Sequence, residues 1–249
     1  MKRILETIIL ATCLVLARWP MGALAQNAPA AAKVGEQIPS EDAVLKDFHS
    51  LGLIDGHVNI FRCACPVRDI AGAMATTQPT DANLAAAKAR LQRLYDLGIR
   101  TDLSFQSAVG DEAKPDESTR AIALEKAAAA LVGLKFINDP IVNSGPHSLQ
   151  DMTDAQVMTL LDTESTKILS SARDGGVVFH CSAGHDRTGI VAAYIRIKYE
   201  HWPVDQAIDE MRRLGHNWPK YSSNGGVSSW DEDHLKAIAK LLAAPPAAN

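Results

Sequence analysis

The sequence predicts an α/β domain: a mostly parallel central sheet flanked by helices, with one site at the end of a central strand. Two observations carry this reading. Short apolar runs with strand character alternate with stretches whose apolar residues recur at helical spacing, the order that builds parallel sheets. The run Val177-Val178-Phe179 also feeds a Gly-containing loop that opens a helical pattern, and open sheets hold ligands at such strand ends. Residues 26–249, the length left once the N-terminal segment is set aside, suit one domain.

The elements follow in order. Val58 to Cys65 is the first predicted strand. Gln78-Pro79-Thr80 turns into a helix opened by Asp81, with Leu84, Ala87, Leu91, Leu94 and Tyr95 at helical spacing, and Gly98 closes it. Ile99 to Phe105 is the next strand. Lys114 to Ser118 reads as a polar loop around Pro115, followed by a helix to about Val132, closed by Gly133, and a strand from Leu134 to Ile137. Thr153 is placed to cap a helix beginning at Asp154, whose Val157, Leu160, Leu161 and Ile168 share a face. Gly175-Gly176 turn into the central strand, residues 177–180. An amphipathic helix near 188–200 follows the loop, then one near 203–214 bounded by Pro203 and Gly215, and one near 230–243.

The N-terminus has a different character. Lys2 and Arg3 precede an apolar run from Ile8 to Ala17, and Ala23-Leu24-Ala25 offers a small-residue cleavage site before Gln26. That is the order of a secretory signal peptide, residues 1–25, with an apolar run too short to span a bilayer stably. The protein is expected in the periplasm or secreted, with no integral membrane segment after cleavage. Residues 26–45, Ala-rich with Pro29 and Pro39, are expected as a disordered linker, 46–243 as the folded domain and 244–249 as a frayed tail.

Loss of Lys2, Arg3, Arg18 and Glu6 with that segment takes the 25 basic and 29 acidic residues to 22 and 28, a net charge of −6. Such a chain is a poor partner for nucleic acid or anionic membranes. Three of the four cysteines remain, Cys63, Cys65 and Cys181, too few for a disulfide scaffold. Cys63-Ala64-Cys65 reads as two residues on one face of a strand, with a redox partner for Cys181 as the alternative. No His or Cys cluster at ligand spacing makes it a metal site, and nothing else calls for a metal or cofactor.

The chemistry concentrates in His180 to Gly189, HCSAGHDRTG. Backbone N–H groups of Ser182, Ala183, Gly184, His185, Asp186 and Arg187 can converge on an anion, with the helix N-terminus adding partial positive charge. The same field favours a Cys181 thiolate, a nucleophile aimed at a bound phosphorus. Arg187 offers a planar fork for two phosphate oxygens, and Thr188 a hydroxyl for the sulfur. Gly184 and Gly189 relieve a tight loop, and His180 is placed to orient it.

In residues and register, this stretch resembles the signature loop of the cysteine-based protein tyrosine phosphatase superfamily, in its compact, dual-specificity-like bacterial branch. Phe61-Arg62, Gln78-Pro79-Thr80 and Gly98-Ile99-Arg100-Thr101-Asp102-Leu103 resemble the N-terminal half of that branch, with Ser104 where the branch has arginine. The resemblance covers roughly residues 55–215. It implies hydrolysis of phosphotyrosine or other phosphomonoesters, on a protein or a small molecule, through a phosphocysteine intermediate. It also implies a general acid some thirty residues before the nucleophile. Asp151 lies 30 residues before Cys181 and leads; Asp186 in the loop, Asp139 and His147 are the alternatives. His185 stands where relatives acting on phosphoinositides often carry lysine, and a partly charged histidine favours simpler esters. A phosphoinositide or inositol polyphosphate phosphatase is the alternative within enzymes, and an inactive phosphate-binding module the alternative outside them.

Overall fold

The computed structural model describes residues 45–57, 59–108, 115–142, 148–216 and 230–244, all within the compact unit spanning residues 32–249. The predicted signal peptide, the linker up to residue 44, His147 and the tail from 245 lie outside the described residues.

A five-stranded sheet organises the chain. Its strands are β1 (His49–Ser50), β2 (Ile60–Ala64), β3 (Ile99–Ser104), β4 (Lys135–Asn138) and β5 (Gly176–Cys181), in the order β1-β2-β5-β3-β4. All neighbours pair in parallel except β1, which runs antiparallel to β2 at one edge. The predicted parallel sheet is therefore present, with β5 at its centre. Every residue of β5 is buried, as expected for a parallel strand covered on both faces.

Helices α1 (Arg68–Ala73), α2 (Asp81–Asp96) and α3 (Pro115–Val132) accompany the cluster of Phe61, Leu91, Leu94, Leu124 and Val178 on one face. On the other, α4 (Asp154–Arg173), α5 (Asp186–Tyr199), α6 (Val204–Arg213) and α7 (Trp230–Ala243) enclose Leu161, Phe179, Cys181, Tyr194 and Leu235. The alternation of β5 thus sends Val177, Phe179 and Cys181 one way and Val178 the other.

Local signals account for many boundaries. Thr80 and Thr153 each cap a helix with a reciprocal capping box, through Asn83 and Gln156. Gly98, at φ +84°, ends α2 as predicted.

Several expectations change. Pro115 to Ser118 form the first turn of α3 and not a loop, because proline suits the first helical position and Asp116 and Glu117 complement the helix dipole. The helix after the loop starts at Asp186 and is not amphipathic: Arg187 to Ile197 are all buried, wedged among β5, α4, α6 and α7. Fully burying Ile190, Val191 and Ile195 contributes about 1.5–3 kcal/mol each. Leu45, the last residue of the predicted linker, is buried in the cluster of Phe48 and Phe61. The edge strand β1, the short α1 and a 3-10 turn at Leu149–Asp151 had no periodic signal long enough to read. Among the described residues no helix is long and apolar enough to cross a membrane.

Candidate active site

The loop from Cys181 to Arg187 leaves the C-terminal end of β5 and enters α5, so the predicted anion-binding residues lie at a helix N-terminus, where backbone N–H groups lack partners within the helix. Gly184 has φ +77°, and a Cβ there would lie 2.7 Å from the carbonyl carbon of Cys63, 2.8 Å from the nitrogen of Ala64, and closer still to the Cys63 oxygen. Only glycine fits this contact between loop and sheet. Gly189 abuts Met211, whose Cγ would lie 2.7 Å from an added Cβ. Beneath the loop, the buried Arg62 donates from Nη2 to the Gly184 carbonyl at 2.6 Å. Burial lowers the pKa of Arg62, opposed by the charges of Cys181, Glu210 and Asp47.

Cys181 is 3% exposed. Burial alone would push its thiol up, yet the Arg187 charge and the hydroxyl and N–H of Thr188 outweigh it and hold the thiol below its ordinary range. Arg187 is fixed by donation from Nη1 to the carbonyls of Phe105, at 3.2 Å, and Ile141, at 3.4 Å. These carbonyls follow β3 and β4, so three strand ends position the guanidinium.

His180 does orient the loop, through a network behind it. Its Nδ1 donates to the Cys181 carbonyl at 3.0 Å, and its Nε2 lies 3.1 Å from Asp102 Oδ1 and 3.3 Å from Glu125 Oε1. All three side chains are fully buried. Burial opposes the charged imidazole, but Glu125 and Asp102 hold its pKa well above the ordinary value. Burial raises Glu125 to about 7. Glu125 is absent from the sequence reading, although a carboxylate within the buried stripe Ala121, Leu124, Ala128 and Ala129 was a visible anomaly. Ser104, in place of the branch's arginine, is buried and accepts from the backbone N–H and the side-chain amide of Gln106.

Cys63 and Cys65 belong with the α1–α3 face and Cys181 with the opposite one, and all three are free thiols. A bridge to Cys181 would have to pass through the sheet, which disfavours the redox alternative.

The acid candidates are dispersed. Asp151 is exposed at the end of the 3-10 turn. Asp139 pairs with Lys167, which also binds Glu164. Asp186 is the carboxylate of the loop itself; its charge acts on Cys181, and its Oδ1 lies 2.7 Å from His216 Nδ1. Behind it is Asp231, fully buried, with its carboxyl pushed well up by burial and by the charges of Asp186, Glu232 and Cys181. His216 and Asp231 gave no sequence signal, because only the packing of α5, α6 and α7 brings them to the loop. His185, expected to tune substrate charge, lies 3.4 Å from Asp47 and packs on Gly215.

Residues 80–197 match the family model described as "Tyrosine phosphatase family". The dual specificity protein phosphatase TpbA of Pseudomonas aeruginosa is 35% identical over 74 residues, covering 30% of this chain and 32% of its own length. Its crystal structure aligns at a TM-score of 0.39 and 20% identity, covering 73% of this chain and 79% of that one. A tyrosine-protein phosphatase of Nostoc commune is 29% identical over 187 residues, 70% of this chain and 60% of its own length. The inositol diphosphatase SIW14 of Saccharomyces cerevisiae is 25% identical over 128 residues, 51% of this chain and 41% of its own length. The chain thus spans between about a third and three-fifths of these curated relatives.

Proposed function

We propose that this chain, whose residues 80–197 match the tyrosine phosphatase family model, is an exported cysteine-dependent phosphatase acting on phosphotyrosine or related phosphomonoesters. One observation carries the reading: Cys181, though buried, is held toward its thiolate by Arg187 and Thr188 at an anion-binding helix N-terminus. In the first step Cys181 Sγ bonds to phosphorus, and the bond from phosphorus to the ester oxygen breaks. A proton from an acid passes to the departing oxygen. In the second step water attacks phosphorus, its proton returns to that carboxylate, and the bond from sulfur to phosphorus breaks. Arg187 spans two equatorial oxygens as charge builds on them.

For the acid, position favours Asp186 over Asp151, since Asp186 lies between Cys181 and Arg187 where the loop enters α5, whereas Asp151 is exposed at the end of the 3-10 turn. A second reading, an inositol phosphate substrate, is supported by the likeness to SIW14. Against it stands the carboxylate of Asp47, 3.4 Å from His185, a negative group where a polyphosphate would need positive charge.

The test is hydrolysis of p-nitrophenyl phosphate by the reduced protein, with and without vanadate, beside Cys181→Ser. Turnover should fall by several orders of magnitude in the variant while phosphate analogues still bind, because an alcohol in this field stays protonated. Near-normal turnover in Cys181→Ser overturns the proposal. A panel of phosphotyrosine peptide, phosphoserine peptide, phosphoinositides and phytate separates the two substrate readings.

A further inference from the structure

Three elements deliver one side chain each to a point beside the phosphate loop: Asp186 from the first turn of α5, His216 just after α6, and Asp231 from the first turn of α7. Their ligand atoms all lie within 4.8 Å of one another. His216 Nδ1 stands 2.7 Å from Asp186 Oδ1 and 3.9 Å from Asp231 Oδ2. Asp231 is 1% exposed at its side chain, and among the described residues neither of its oxygens has a hydrogen-bond partner. A buried carboxylate with both oxygens unsatisfied is costly, and its persistence calls for a missing partner. The neighbouring Glu232 shows the contrast: it takes two hydrogen bonds from Arg212, both at 2.7 Å. The second cluster of potential ligands, Cys65, Glu125 and His180, already satisfies itself through hydrogen bonds and gives no such signal.

We propose that Asp186, His216 and Asp231 form a binding site for one zinc-type divalent cation. One imidazole nitrogen and two carboxylate oxygens suit zinc, with a coordination position left open. The first turns of α5 and α7 hold Asp186 and Asp231, and the segment just after α6 holds His216, so the site needs only the Asp186–His216 hydrogen bond to open. Entry is from the mouth of the phosphate loop, where the Asp186 side chain is 28% exposed. The cation would supply positive charge beside the carboxylates of Asp231 and Asp186. Its consequence rests on the phosphatase reading: a cation holding the Asp186 carboxylate removes the acid, so zinc acts as a reversible inhibitor.

The test uses full-length protein carrying Cys181→Ser, which removes the thiolate as a competing zinc ligand. Equilibrium dialysis against zinc alone should find one ion per chain, and zinc should raise the melting temperature. X-ray absorption should show nitrogen and oxygen neighbours and no sulfur. Asp231→Asn, close in shape to the native residue, should weaken binding about a hundredfold, as should His216→Gln. The absence of stoichiometric zinc, binding unchanged in both variants, or a sulfur ligand overturns the proposal. Dialysis needs no turnover, so a wild type that stays inactive after a chelator has removed its zinc, beside a Cys181→Ser form that binds zinc, would refute the phosphatase reading alone. An active wild type whose Cys181→Ser form binds none would refute the zinc site alone.

Discussion

Replacing Gly184 with alanine tests the packing of loop against sheet. Two costs add. The backbone sits at φ +77°, where an L side chain costs about 1–2 kcal/mol. The new methyl would also meet the Cys63 carbonyl and, at 2.8 Å, the nitrogen of Ala64, which are backbone atoms at the end of β2 and cannot rotate away. Forcing a methyl group into such a space costs a further 1–3 kcal/mol or so. Together these give about 2–5 kcal/mol, or roughly 5–15 °C of melting temperature for a domain of this size. Alternatively the loop lifts, which breaks the hydrogen bond from Arg62 to the Gly184 carbonyl and spreads the N–H groups proposed to hold phosphate. Either way vanadate affinity falls. Gly56→Ala is the control, because Gly56 has φ +80° with nothing within 4 Å of an added Cβ, and so incurs the backbone cost alone. Thermal melts and vanadate titrations of both variants isolate the contact term. If Gly184→Ala loses no more stability than Gly56→Ala and binds vanadate normally, the steric reasoning is wrong.

Three further outcomes are expected. Asp186→Asn should lower turnover about a hundred- to ten-thousandfold on alkyl phosphates and far less on p-nitrophenyl phosphate, whose oxygen hardly needs a proton; the same contrast at Asp151→Asn would move the role there. Stability should decline as pH rises from about 4.5 through 7 and beyond, since folding raises Glu125 from 4.5 to about 7 and raises His180 well above its ordinary value, and the native state binds protons that the unfolded chain releases. That contribution is complete below the ordinary values and lost through the folded ones, so thermal melts across this range should show a shallower slope for Glu125→Gln. Mass spectrometry of the native protein should find Gln26 or a near neighbour at its N-terminus, and an intact Met1 would contradict export.

The loop was legible in the sequence because its chemistry is contiguous. Cys181, Gly184, Arg187 and Thr188 fall within eight residues, and a strand run into a helix start needs no long-range information to become an anion cradle. The same holds for the caps at Thr153 and Gly98, whose hydrogen bonds stay within a helical turn. The sheet order was not legible in this way. Periodicity says that a residue faces inward but not which residue it meets, so Arg62 beneath Gly184, 122 positions away, emerged only with the pairing of β2 and β5. Glu125 looked like an isolated charge in an apolar stripe until α3 carried it to His180. The surroundings of the acid candidates followed the same logic. Sequence distance pointed to Asp151, whereas the packing of α5, α6 and α7 surrounds Asp186 with His216 and Asp231. Backbone hydrogen bonding and hydrophobic spacing act over a few residues and can be read along the chain. Partnerships between buried charges depend on which elements become neighbours, and that is decided only when the core closes.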